Sequence, residues 1–205
     1  MKYNIEHCGI IILAAGESKR LGNPKQLLSF GGNTLLARVA NTACESGLDP
    51  VFAVLGANDD KINATLNIPG LIVVKNDNWK EGMASSIRIG LSSMLELSPQ
   101  LDGIIMLVCD QPYLNQDLIK ALIEAQHDSG LPAAAASYGG KLGTPALFQR
   151  SFFSELMSLS GDTGARKILE RKRENVVEVE FELGVVDIDT QDDYERLLNE
   201  HKNEV

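Results

Sequence analysis

The chain has 205 residues, 44% hydrophobic and 23% charged, with a formal net charge of -9; this suits one compact α/β domain over 1–205, and no compositional shift divides it. The negative balance excludes a nucleic-acid-coating surface, and no apolar stretch is long enough to cross a bilayer, so neither nucleic acid nor membrane is an expected partner. Met1 to His7 is polar and too short for the apolar part of a signal peptide, and three cysteines at unrelated spacings suit a reducing compartment, so a cytoplasmic protein is expected.

The first apolar, β-branched run, CGIIILA at 8–14, reads as a buried strand. It leads straight into AAGESKRLGNPKQLL, where Ala15, Gly16 and Gly22 leave the backbone unobstructed and Lys19, Arg20 and Lys25 supply positive charge. By composition this is a phosphate-binding loop; the alternative is a solvated turn with chance bases. It has neither the Gly-Lys-Ser/Thr of a P-loop nor the G-x-G-x-x-G of a dinucleotide turn, which removes support from kinase-type and dehydrogenase readings. Leu35, Leu36, Val39, Ala40 and Ala43 then follow helical spacing. Two further runs, 51–56 and 71–76, read as buried strands, and Ile87, Leu91, Met94 and Leu95 as the core face of a second helix.

The run GIIMLVC at 103–109 predicts a central strand whose carboxyl end delivers Asp110 to where ligands bind in such sheets. A carboxylate there suits Mg²⁺, which takes one or two protein carboxylates plus substrate phosphates and water. Asp110 would otherwise cap the next helix, but Asn115 is better placed for that, ahead of Leu118, Ile119, Leu122 and Ile123. Two short apolar pieces around Gly139 and Gly140 suggest an irregular excursion or hairpin on one side of the sheet. Then come the helix-like TGARKILERKR, the strand VVEVEF and the strand-like VVDID. Asp187 and Asp189 at its end either complete the metal site or serve in turn formation and capping. Thr190 and Asp193 form a capping box that opens the last helix. His7, His127 and His201 fall at the ends or on a solvated helix and are expected to have no role. Strands alternating with helices imply a three-layer α/β/α fold with a mainly parallel, Rossmann-like sheet. Residues 8–115 would form its nucleotide side and 130–190 its acceptor side.

Six segments in order, ILAAGESKRLGNPKQLL, EGMASSIRIGL, CDQPYL, LGTPALF, LSGDTGARKIL and DIDTQDDYERL, resemble nucleotidyltransferases of the nucleotide-diphospho-sugar transferase superfamily. The likeness spans nearly the whole chain and is greatest to the molybdenum cofactor cytidylyltransferases, through KQLL, SS-x-R-x-G-L and SGD-x-GAR. The resemblance implies that Leu13, Ala14, Ala15 and Gly16 present backbone to the nucleotide, that Arg20 and Lys25 contact the triphosphate, and that Asp110 holds Mg²⁺. Gly82, Ser85 and Ser86 would lie near the base and ribose, although Ser86 equally suits an ordinary first helical turn. Asp162 and Arg166 would face the acceptor; a helix cap near Thr163 and a surface base are the respective alternatives.

The implied reaction transfers CMP from CTP to the phosphate of a molybdopterin-type cofactor and releases pyrophosphate, with a client molybdenum hydroxylase as a further partner. The alternatives are GTP as donor, another phosphate acceptor, or a carrier that hands a finished cofactor to its client. Two positions depart from the family pattern: Cys109 stands where Gly is usual before the metal-binding Asp, and Thr144 where His is frequent.

Overall fold

The computed structural model describes residues 6–203, with side chains for 6–200. Residues 1–5 of the polar leading segment and the side chain of His201 lie outside the described residues. In chain order the elements are β1 (Cys8–Ala14), β2 (Ser29–Phe30), β3 (Asn33–Thr34), α1 (Leu35–Cys44), β4 (Val51–Leu55), α2 (Asp59–Asn63), β5 (Leu71–Lys75) and α3 (Met83–Leu97). There follow β6 (Gly103–Val108), α4 (Gln116–Ser129), β7 (Ala133–Tyr138), β8 (Lys141–Gln149), α5 (Phe153–Met157), α6 (Arg166–Arg171), β9 (Val176–Glu180) and α7 (Gln191–Asn203).

Seven strands form one sheet in the order β5-β4-β1-β6-β8-β7-β9. Only β8 runs against its neighbours, antiparallel to both β6 and β7. The sheet is therefore mainly parallel, as expected. Side chains alternate across a strand, so β1 serves both faces. Ile10 and Ile12 meet Leu36, Val39 and Ala40 of α1 and Leu118 and Leu122 of α4, while Ile11 and Leu13 meet Ile87, Leu91 and Met94 of α3. With α5 and α6 also on the second face, helices cover both sides. Among the described residues no helix is long and apolar enough to cross a membrane.

Three expectations need correction. Residues 71–75 form a strand but not a fully buried one: β5 is the sheet edge with a single strand neighbour, and Ile72 is exposed. The hairpin around Gly139 and Gly140 is not an excursion to one side. It enters the sheet, where β8 completes the hydrogen bonding of β6 and β7 takes on β9 in parallel. VVDID is not a strand either; residues 182–185 form a 3-10 turn, and the extended stretch after it crosses the strand ends. Its Ile188 N–H donates to the Asp110 carbonyl at 3.2 Å. The reason is burial without a ladder: Ile188 is fully enclosed with Leu21, Phe30, Leu35 and Leu197 in a small third core.

The helix starts follow the expected chemistry. Asn115 accepts from the Leu118 N–H at 2.9 Å, and Thr190 and Asp193 form the reciprocal box, 2.8 Å from the Thr190 N–H to Asp193 and 3.2 Å from the Asp193 N–H to Thr190. Gly90 marks a close approach of α3 to the sheet. A Cβ there would sit 2.9 Å from Val54 Cγ2 and 3.0 Å from Ile11 Cγ2. Both methyls belong to buried central strands with no room to give. Gly90→Val should therefore cost about 1–3 kcal/mol through overpacking, read as a lower urea midpoint at unchanged slope. A midpoint equal to wild type would contradict this packing.

Candidate active site

A cleft of about 600 Å³ lies beyond the carboxyl ends of β1 and β6. Of the expected site residues, Leu13, Ala14, Ala15, Gly16 and Lys25 line one side, Asp110 the floor, and Gly82, Ser86 and Asp162 the other side. The loop after β1 turns through Ser18, which has a left-handed φ of 58° and whose Oγ accepts from the Lys25 N–H at 3.0 Å. Pro24 then leads into a 3-10 turn over Lys25–Leu27 that points Lys25 back toward β6.

Charge converges on Lys25. Its Nζ lies 2.8 Å from Asp110 Oδ2 and 2.7 Å from Asp189 Oδ1, and Arg20 Nη2 lies 2.6 Å from Asp189 Oδ2. Arg20 and Asp189 flank the cleft rather than line it, and meet the lining through Lys25. Burial alone would lower the Lys25 pKa. The charge of Asp110 and the hydrogen bonds to Asp110 and Asp189 outweigh it and raise the ammonium above its usual value. Asp189 is held below the usual carboxylate range, first by the Lys25 hydrogen bond. Asp187 is raised instead, by burial and then by the negative charges of Asp189 and Asp110. The Cys109 thiol, buried beside Asp110, is pushed up to about 12, chiefly by burial. It remains a neutral thiol at neutral pH.

The far wall joins the start of α3 to the segment 159–162, far along the chain. Gly82 has a φ of 101°, and a Cβ on it would come 2.5 Å from Asp162 Oδ1 and from the Gly161 backbone. Glycine here is required both by the left-handed backbone and by the contact. The Ala84 N–H donates to Gly161 O at 3.1 Å, and Arg88 Nη1 donates to Leu159 O at 2.6 Å while pairing with Glu81 at 3.2 Å. Asp162 is thus carried on a loop fastened to the start of α3. It does not cap α6, whose first cap position is Ala165, with no side-chain bond.

Two expected residues are placed elsewhere. Ser85 is buried behind the wall, donating to Gly82 O at 2.8 Å and accepting from Asn76 at 2.8 Å; Ser86 accepts from the same Asn76 amide at 2.9 Å but reaches the cleft. Arg166 lies outside the cleft, paired with Glu170 at 2.9 Å one helical turn on. The lining also includes Gln26, Trp79, Lys80 and Met83, which composition did not single out. Trp79 had a signal, as the sole tryptophan of the chain just before the EGMASS segment.

The MobA-like NTP transferase domain matches residues 10–176. The chain belongs to that family. Among curated relatives of this MobA-like protein, the nicotine blue oxidoreductase of Paenarthrobacter nicotinovorans is 30% identical over 92% of this chain and 95% of its own. The molybdenum cofactor cytidylyltransferase of Escherichia coli K12 is 23% identical over 90% and 92%, and the molybdenum cofactor guanylyltransferase of Rhodobacter capsulatus 32% over 68% and 67%. Among solved structures, Rv0371c of Mycobacterium tuberculosis superposes with a TM-score of 0.80 at 30% identity, covering 94% of this chain and 98% of that one; its manganese complex gives 0.76 at 28%.

Two predictions follow from the geometry of the MobA-like cleft. Asp187 ionises less readily in the folded protein than when unfolded, so its contribution is favourable at low pH and is lost as pH rises through the raised value. Asp189 is the reverse, with stability present above the unfolded carboxylate pKa and lost as pH falls through the depressed one. At pH 7, Asp187→Asn should raise the melting temperature and Asp189→Asn lower it, each by a few degrees, since partial exposure screens both. Shifts of the opposite sign in thermal scans would contradict the assignment. Separately, Arg88→Met should speed hydrogen exchange at the Ala84 amide and across 159–164 by roughly tenfold, the loss of one charged hydrogen bond. Unchanged exchange would show that the loop is held by other means.

Proposed function

We propose that this MobA-like protein transfers a nucleoside monophosphate, CMP from CTP, to the phosphate of a molybdopterin-type acceptor, with release of pyrophosphate. The observation that carries this reading is the Lys25 ammonium held by Asp110 and Asp189 at the strand ends, beside a backbone loop suited to phosphate. An acceptor phosphate oxygen would form the new bond to the α-phosphorus as the bond to the bridging oxygen breaks and its electron pair leaves with pyrophosphate. Positioning and charge neutralisation supply the catalysis. A phosphate monoester is already largely ionised at neutral pH, so no general base is required. Lys25 and Arg20 would stabilise the charge on the leaving pyrophosphate.

The donor set suits Mg²⁺. Two hard carboxylates, Asp110 and Asp189, point at one cation, and phosphates and water commonly complete such a shell. Among the described residues no group of three or more His, Cys, Asp or Glu side chains is placed to hold a metal ion. When bound there, Mg²⁺ would neutralise phosphate oxygens. Lys25 occupies the same carboxylates meanwhile, and would turn to the phosphates when they are taken. Asp162, across the cleft, would face the acceptor. Arg166, outside it, would act only on a ligand larger than the cleft. A client molybdenum hydroxylase would receive the product.

The second reading is guanylyl transfer. The guanylyltransferase relative has the higher identity but covers about two thirds of the chain, whereas the cytidylyltransferase covers nearly all of it. KQLL and SSIRIGL favour CTP. An oxidoreductase activity, which the nicotine blue relative's name gives for that protein, is not favoured by the loop after β1, which has no G-x-G-x-x-G turn.

Pyrophosphate release with each of the four NTPs, with and without molybdopterin-type cofactor, tests the reading. CTP should give the highest kcat/KM, and only with acceptor present; GTP preference would move the protein to the second reading, and no release with any NTP would remove both. Asp110→Asn should nearly abolish turnover with the fold intact, whereas activity within a factor of two of wild type would contradict its role. Lys25→Ala should cost about ten- to a hundred-fold in nucleotide use, the worth of one charge-assisted contact. Asp162→Ala should instead raise the acceptor KM.

A further inference from the structure

Gln26 is 1% exposed, yet it belongs to the cleft lining and follows Lys25 directly in the chain. Its Nε2 donates to Ala14 O at 2.7 Å and to Gly16 O at 2.9 Å. The carbonyl between them, Ala15 O, accepts from the Ala57 N–H at 3.0 Å. Three successive carbonyls at the mouth of β1 are thus each held by a partner inside the protein. In a planar trans peptide the N–H points opposite the preceding C=O. Binding the Ala14 and Gly16 carbonyls therefore turns the Ala15 and Glu17 amides away from Gln26. Among the described residues the Glu17 amide meets no acceptor.

The orientation of the Gln26 amide is fixed by the same contacts, because flipping it would set its oxygen against two carbonyl oxygens. Among the described residues its Oε1 is buried without a hydrogen-bond partner. Such an unpaired buried acceptor is unfavourable and calls for a specific reason. A residue serving packing alone would be better as Met or Leu. The reason that fits is the pair of donors on one rigid plane, which neither Glu, Met nor Lys provides without adding repulsion, losing donors or adding charge.

We infer that Gln26 is the positioning residue of the nucleotide loop: its amide sets the peptide planes at Ala14 and Gly16 and ties them to the adjacent Lys25, so that backbone donors and ammonium meet one triphosphate in register. The inference rests on the nucleotide-binding reading above. Gln26 itself touches no phosphate in this scheme.

Equilibrium dialysis with radiolabelled CTP and GTP, in the presence of Mg²⁺, tests it on wild type, Gln26→Met and Gln26→Glu. Gln26→Met should stay folded by circular dichroism and weaken nucleotide binding roughly ten- to a hundred-fold, the worth of two hydrogen bonds and two carbonyls left unpaired. The acceptor KM at saturating nucleotide should not change. Gln26→Glu should be at least as weak at pH 8 but recover part of the loss at pH 5.5, each value taken relative to wild type at the same pH. There a protonated carboxyl can donate to one carbonyl, which a purely packing role would not require. Wild-type affinity in Gln26→Met overturns the inference. If Gln26→Met does not fold, a Gln26→Glu to wild-type ratio that is the same at both pH values overturns it, as does failure of both variants to fold. Should wild type bind no nucleotide, the proposed function itself fails, an outcome distinct from a nucleotide-binding wild type with indifferent variants.

Discussion

The site depends on one ammonium between two carboxylates. Lys25, Asp110 and Asp189 are far apart in sequence and meet within hydrogen-bond distance. Without that cation the Asp110 and Asp189 carboxylates would lie close together with less to balance them; even with Lys25 in place the Asp187 pKa is raised, first by burial and then by the charges of Asp189 and Asp110. Each element of the site can be read as meeting this constraint. The end of β6 supplies Asp110, the turn through Ser18 aims Lys25, and burial of Ile188 in the small third core brings its neighbour Asp189 across the strand ends. The arrangement is poised rather than relaxed, because two negative charges are balanced by a cation that a polyphosphate would also attract.

The two walls are built differently. On the β1 side the ligand would meet mostly backbone, held by Gln26 and Ala57 and leaning on the sheet. On the other side it would meet side chains carried by the loop 159–162, which Arg88 and the Ala84 amide fasten to α3. Backbone donors suit the feature that all nucleoside triphosphates share. A wall of side chains on a fastened loop suits the part that differs between acceptors. This accords with relatives that carry names as different as cytidylyltransferase, guanylyltransferase and nicotine blue oxidoreductase.

Much of this was legible in the residues. CGIIILA forms a buried interior strand because a β-branched run that serves both faces of a parallel sheet must be apolar throughout, and Asp110 follows another such run, β6, at its carboxyl end. What escaped was long-range. Nothing local in LIVVK says that it has one strand neighbour rather than two, and nothing in VVDID says that Ile188 is buried without a ladder. Ser85 and Ser86 look alike in sequence and share the Asn76 amide, and only the turn of α3 leaves Ser85 behind the wall while Ser86 reaches the cleft. Gln26 was hidden within KQLL, where its neighbour Lys25 carried the obvious chemistry. Arg88 stood in the SS-x-R-x-G-L block without a role until its carbonyl partner at Leu159 was known.

Lys25 occupies two carboxylates that, in the function proposed above, a divalent cation would take over when nucleotide arrives. Manganese binding followed by electron paramagnetic resonance, without nucleotide, compares wild type with Lys25→Ala directly. Removing the competing ammonium should tighten manganese binding, and CTP should narrow the difference by drawing Lys25 away in the wild type. Equal or weaker manganese binding by Lys25→Ala would contradict the account.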